Sequence, residues 1–216
     1  LTIEYKDIHP LVIIMPHYTF IEIGTSDFET LLETSNASDL GLSIEPLSVY
    51  LNNLPNKPNV TKINAAISDK NGEMSIYYVP PEIILAADLP WWFKGCNSVG
   101  NPHPTVSKCL TEMGKSQDFI MCDTVPVKTM ETLIFENKIE SIGTLKIDTE
   151  GHDCIILNNY ITYCEKNPAL FAKTINFETN VLSLVDDQES VINRLLNNGY
   201  RLVSRNINEN TILEKI

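Results

Sequence analysis

Thr19-Phe20-Ile21-Glu22-Ile23-Gly24 is an apolar, β-rich run that closes on an acid and a glycine. Short runs of this kind, bounded by turn residues, read as buried strands. Working outward, two more follow, Leu42-Ser43-Ile44-Glu45 and Thr61-Lys62-Ile63-Asn64-Ala65-Ala66-Ile67. Between the first two, residues 27–38 place Phe28, Leu31 and Leu32 at helical spacing with acids opposite, which predicts a crossover helix. Gly143-Thr144-Leu145-Lys146-Ile147-Asp148 is the fourth core strand, with a helix after it through Ile155, Ile156, Leu157 and Tyr160 to about Glu165, and residues 172–179 form the fifth. Residues 186–198 carry Val191, Ile192, Leu195 and Leu196 as an apolar helical face that stops at Gly199. Residues 200–205 and 211–215, joined by a polar turn at 206–210, predict a terminal hairpin, and 75–79 and 124–128 predict short extra strands. Strands alternating with helices indicate an α/β fold with a mostly parallel, doubly wound sheet.

The chain has 216 residues with 28 acids and 16 bases, a formal charge of −12. That length favours one domain over residues 1–216, although the absence of an initiator Met is compatible with a module of a longer protein. The negative charge repels phosphate backbones and anionic lipid, so neither a nucleic acid nor a membrane surface is expected as partner. No apolar run reaches the ~18–20 residues that cross a bilayer, and residues 1–7 lack the basic-then-apolar order of a signal peptide. The expectation is a cytoplasmic protein. Five cysteines, odd in number and never spaced C-x-x-C, argue for reduced, packed thiols over a disulfide framework or zinc finger.

Residues 80–118 fall outside the alternation of strands and helices. Pro80-Pro81, Trp91-Trp92 and a cluster of Gly, Asn, His and Pro mark them as an insertion, and long insertions are often binding loops or lids. In a doubly wound sheet the ligand lies beyond the carboxyl ends of the strands, near the reversal of strand order. Glu22, Glu45 and Asp148 stand at such ends. Each alone could be a capping or salt-bridged acid, but burial of an unpaired carboxylate is costly, and three at equivalent positions point to a site.

A dinucleotide needs G-x-G-x-x-G after the first strand so that backbone can approach the pyrophosphate. Here the turn reads Gly24-Thr25-Ser26-Asp27-Phe28-Glu29, with one glycine and two acids, which disfavours NAD. S-adenosylmethionine carries a sulfonium and an ammonium and no phosphate, so acids suit it. Glu45, 21 positions after Gly24, can accept from both ribose hydroxyls. Ala65-Ala66-Ile67-Ser68-Asp69 would flank the adenine.

Ile21-Glu22-Ile23-Gly24, Ile44-Glu45-Pro46, residues 64–72 (Asn-Ala-Ala-Ile-Ser-Asp-Lys-Asn-Gly), Leu145-Lys146-Ile147-Asp148-Thr149-Glu150-Gly151-His152-Asp153 and Ile175-Asn176-Phe177-Glu178 together resemble the FkbM-type methyltransferases. The resemblance runs in order over about residues 20–199. Val125-Pro126-Val127-Lys128-Thr129-Met130 sits where that family has its extra strand and the start of the helix before strand four. The resemblance implies a Rossmann-like class I methyltransferase, a seven-stranded sheet with a C-terminal antiparallel hairpin, and S-adenosylmethionine as donor, commonly for O-methylation of small molecules or sugars. Ser26 and Asp27 depart from the family's usual small residues in the first turn.

On this reading Glu22, Gly24, Thr25 and Ser26 hold the methionine end, Glu45 and Pro46 the ribose, and Ala66, Ile67 and Ser68 the adenine. Asp148 faces the transferring methyl. His152, four residues on, is a candidate general base, and Glu178 at the end of strand five competes for that role. Asp148, Glu150, His152 and Glu178 could alternatively hold a divalent metal, which the spacing does not favour. Trp91, Trp92, Lys94, Asn97, Ser98 and His103 of the insertion, with Glu150, are acceptor-side candidates. Aromatic faces stack on sugar rings, and Asn and Ser pair with hydroxyls; the tryptophans could equally form a dimer contact or a core lid. The function expected is O-methyl transfer to a sugar, nucleotide sugar or glycosylated small molecule. A non-sugar acceptor and a catalytically silent binding module are the alternatives.

Overall fold

The chain begins its main sheet at β1 (His17–Ile23), in a computed structural model that describes residues 16–206 and 209–216. Residues 1–7, read above for targeting, lie outside the described residues, as does the centre of the turn at 206–210. After β1 come α1 (Leu31–Thr34), β2 (Gly41–Ile44), α2 (Ser48–Leu51), β3 (Val60–Ile63), β4 (Ala66–Ser68), β5 (Gly72–Tyr78), α3 (Pro81–Ala86), β6 (Ser98–Val99) and α4 (Pro104–Glu112). The second half adds β7 (Met121–Thr129), α5 (Met130–Glu136), β8 (Ser141–Ile147), α6 (Asp153–Cys164), β9 (Thr174–Glu178), α7 (Val185–Asn197), β10 (Tyr200–Arg205) and β11 (Asn210–Lys215). No helix among the described residues is long and apolar enough to cross a membrane.

Seven strands form one sheet in the order β10-β11-β9-β8-β1-β2-β3. Its five central strands are parallel, and the β10–β11 hairpin adds to β9 antiparallel, so the expected Rossmann-like α/β architecture with its terminal hairpin is present. Winding proceeds outward from β1 to β3, then resumes on the other side at β8. The switch point therefore lies between β1 and β8, and ligands are expected beyond their carboxyl ends. Ile21, Ile23, Leu42, Ile44, Leu145, Ile147, Ile175 and Phe177 on these strands pack with Leu157 and Tyr160 of α6 and Val191 and Leu195 of α7 in one core cluster. Buried on both faces, the parallel strands need near-continuous apolar runs, which is what the sequence supplies.

Four expectations are corrected. The crossover helix at 27–38 is a single turn, α1, because Thr30 closes a capping box with Glu33 and the following Ser35, Asn36, Ser38 and Asp39 favour turns over helix. The third strand, expected as 61–67, is cut at Asn64, whose side-chain amide donates to the carbonyls of Glu45 and Pro46. Its second half, β4, joins a separate four-stranded sheet in the order β4-β7-β5-β6. The extra strands at 75–79 and 124–128 are longer than expected and pair antiparallel as β5 and β7 in this sheet. Residues 80–118 are not a loop: α3, a 3-10 turn at Trp91–Lys94 and α4 enclose their own small core of Val79, Leu89, Phe93, Val106 and Leu110.

Candidate functional site

Register places the site. Ile23 pairs with Ile44 and with Ile147, and Ile147 pairs with Phe177, so the next residues, Glu45, Gly24, Asp148 and Glu178, form one row across four strand tips. Gly24 has φ +80°, and a Cβ there would lie 1.9 Å from the Asp148 carbonyl oxygen. Only glycine lets the two central tips approach this closely.

Glu45 is buried, and its carboxylate accepts from the backbone N–H groups of Ser26 (2.8 Å) and Leu47 (2.9 Å). Burial outweighs these bonds and pushes its pKa up to about 7. It lines a narrow cavity of about 40 Å³ with Ile23, Gly24, Pro46, Ala65, Ala66, Ile67, Asn97, Val99, Thr149 and His152. Gly24, Glu45, Pro46, Ala66 and Ile67 thus meet around one cavity, as the sequence predicts for a nucleoside pocket. Thr149 and Val99 were not foreseen there.

Glu22 does not reach this row. Cross-strand pairing sets it against Lys146, whose ammonium lies 2.9 Å from its carboxylate, while its other oxygen accepts from Leu31 N–H at 2.8 Å. Fully buried, it pairs with Lys146 and holds the start of α1 rather than facing the cavity. Thr25 and Ser26 do not line the cavity either; their hydroxyls donate to the carbonyls of Ser26 and Lys94.

On the other side of Asp148 the acids converge. One oxygen each of Asp148, Glu150 and Glu178 lies within 4.8 Å of the others. Burial first, then the neighbouring acids, raise Asp148 to about 7 and Glu178 to about 9, and Glu178 Oε2 is buried without a hydrogen-bond partner. The trio can share protons, and as hard oxygens the three could also hold a divalent cation. His152 is not with them. Its Nε2 lies 2.9 Å from Ser68 Oγ, beside the cavity that Glu45 lines, so it does not join the three acids in one cluster. Asp153, outside the original set, locks the two tips: it accepts from Thr149 N–H and Oγ1 and from Glu178 N–H.

Glu150 sits at φ +52°, a conformation costly for a residue with a Cβ, and such strain clusters at functional sites. His103, buried on the insertion, fixes it. The Nδ1 of His103 accepts from Thr105 N–H, which leaves Nε2 to carry the proton and donate to Glu150 at 3.1 Å. Trp92, Cys96, His103, Thr105, Glu150, Asn180, Val181 and Leu182 line a cavity of about 360 Å³ beside the acid trio.

The remaining acceptor-side candidates separate. Lys94 pairs with Asp27 at 2.7 Å and lies over the Phe28 ring, and Trp91 packs edge-on against Phe28. Both belong to the face that seals the first turn. Asn97 lines the cavity of about 40 Å³ and donates to the Lys94 carbonyl, whereas Ser98 donates to the Asn101 carbonyl. Trp92 and His103 line the cavity of about 360 Å³ with Glu150, and Ser98 lines a neighbouring one with Glu150 and His152. Cys96, Asn180 and Leu182 join Trp92 and His103 through tertiary packing that no local pattern signals.

Residues 22–202 match the family described as the methyltransferase FkbM domain. The chain belongs to the FkbM methyltransferase family. No curated protein and no solved structure matches it. For this methyltransferase the matched span runs from the acid of β1 into the first residues of β10, so it includes every strand tip of the site and the insertion between them.

Proposed function

We propose that this methyltransferase takes its methyl group from S-adenosylmethionine and transfers it to a hydroxyl of a sugar or glycosylated small molecule. The observation that carries the reading is the row Glu45, Gly24, Asp148 and Glu178, with a nucleoside-lining cavity at one end and an acid-rimmed cavity at the other. Glu45 accepts the ribose hydroxyls, and Pro46, Ala66 and Ile67 pack on the adenine. The absence of a glycine-rich phosphate turn, with Asp27 and Glu29 in its place, supports a cofactor without pyrophosphate.

Methyl transfer is an in-line displacement, so the protein's work is alignment and removal of one proton. When bound, the donor would supply the methyl from its sulfonium to the acceptor oxygen and would leave as a neutral thioether. The hydroxyl proton passes to the Asp148–Glu150–Glu178 trio. A sulfonium next to the trio favours its ionised forms, which prepares a proton acceptor only when cofactor is bound. Trp92 offers a flat apolar face in the acceptor cavity, and His103, Asn180 and Glu150 offer polar partners around it, a combination suited to a carbohydrate ring.

Incubation with isotopically labelled donor and a panel of sugars and nucleotide sugars tests this reading, with one added methyl on a panel member as the expected product. Asp148→Asn should lower turnover at least about 100-fold while leaving the circular dichroism spectrum unchanged. Full activity in that variant would remove Asp148 from the reaction.

A further inference from the structure

We infer that His152 reads the edge of the cofactor's nucleobase, with Ser68 fixing its tautomer, instead of taking the acceptor's proton. The inference rests on the proposed use of S-adenosylmethionine and assigns a residue to its specificity. Ser68 lies on β4, in the small sheet, and His152 occupies the position just before α6. They meet across the end of the cavity lined by Glu45, Pro46, Ala65, Ala66 and Ile67, which His152 also lines.

The proton positions follow from the bonding. Ser68 Oγ contacts Asp69 Oδ1 at 3.1 Å and His152 Nε2 at 2.9 Å. An ionised carboxylate only accepts, so the single serine proton goes to Asp69 and the oxygen receives the proton of Nε2–H. Nδ1 then keeps its lone pair. Among the described residues it has no hydrogen-bond partner, and although His152 occupies the capping position of α6 its side chain caps nothing there.

An imidazole with an unused acceptor nitrogen beside a narrow, mostly apolar slot that it helps to line suits an exocyclic amine. Adenine presents one at C6, and hypoxanthine presents an oxygen there that can only repel the lone pair. A site built to bond a donor rejects the analogue lacking it more strongly than shape alone can. The same geometry explains why His152 stays clear of the Asp148–Glu150–Glu178 trio.

The test compares binding of S-adenosylhomocysteine and its deaminated analogue S-inosylhomocysteine by calorimetry, for the wild-type chain, His152→Phe and His152→Asn. The wild type should prefer the adenine ligand about tenfold or more. His152→Phe keeps a ring without nitrogen and should bring the ratio close to one, whereas His152→Asn keeps a polar atom near the Nδ1 position and should restore part of it. Thermal unfolding of both variants checks that the pocket survives. Wild-type binding of S-adenosylhomocysteine with an unchanged ratio in His152→Phe would overturn this assignment while leaving the cofactor reading intact. No binding by the wild type would overturn both.

Discussion

At the residue scale the site depends on side chains that the sheet register brings abreast. Gly24 is the strictest of them, since any Cβ meets the Asp148 carbonyl and the backbone is left-handed. Gly24→Ala should cost about 3 kcal/mol of stability by urea unfolding and remove measurable binding of S-adenosylhomocysteine. Wild-type stability in that variant would mean the two tips are not held together. Gly24, Glu45 and Asp148 were legible as strand-end residues because each closes an apolar run. The role of Glu22 was not legible. Its partner Lys146 lies 124 positions away, and only the pairing of β1 with β8 turns an apparent ligand into an internal ion pair. His152 misled for a related reason: its distance from Asp148 along the chain says nothing of which way the loop turns, and the left-handed Glu150 and Gly151 send it toward Ser68.

At the scale of elements, the five core strands and the two long helices α6 and α7 were readable because each carries its own period. Segments whose form depends on a distant surface were not. Phe28 and Leu31 give 27–38 a helical pattern, yet Phe28 is drawn out to pack against Trp91 and Lys94. Residues 91–94 and the first turn are tied together by Ser26 to the Lys94 carbonyl and Lys94 to Asp27, above a cavity of only about 40 Å³. Ligand sites usually measure about 300–1,000 Å³, so the proposed entry of S-adenosylmethionine here requires this strap to yield. Lys94→Ala removes one tie and should speed release of S-adenosylhomocysteine about three- to tenfold, as the fluorescence of Trp91 and Trp92 can follow in stopped flow. An unchanged rate would mean that the tie does not limit opening.

At the scale of the whole molecule, the chain concentrates poorly solvated acids at one end of its sheet. Glu45 and Asp148 near 7, Asp153 near 6 and Glu178 near 9 all lie above their unfolded values because burial disfavours their charged forms. A raised acid pKa means that the folded state binds protons the unfolded state has released. The stability these groups contribute is therefore fully present below their unfolded pKa of about 4 and is lost as pH rises through 6 to 9, the reverse of a protein whose acids are paired. The unliganded chain should melt several degrees lower at pH 8 than at pH 6, and Asp148→Asn should flatten that slope. A melting point that rises over the same interval would contradict the electrostatic picture of the site.

The central claim, a pocket shaped for a cationic cofactor, is tested most directly by calorimetric titration of the purified chain with S-adenosylmethionine, S-adenosylhomocysteine and NAD at pH 6 and pH 8. The first two should bind one to one, and NAD should give no heat of binding. Because only the sulfonium gains from ionised Asp148 and Glu178, the preference for S-adenosylmethionine over S-adenosylhomocysteine should grow about tenfold from pH 6 to pH 8. Saturable binding of NAD, or a preference that ignores pH, would contradict it.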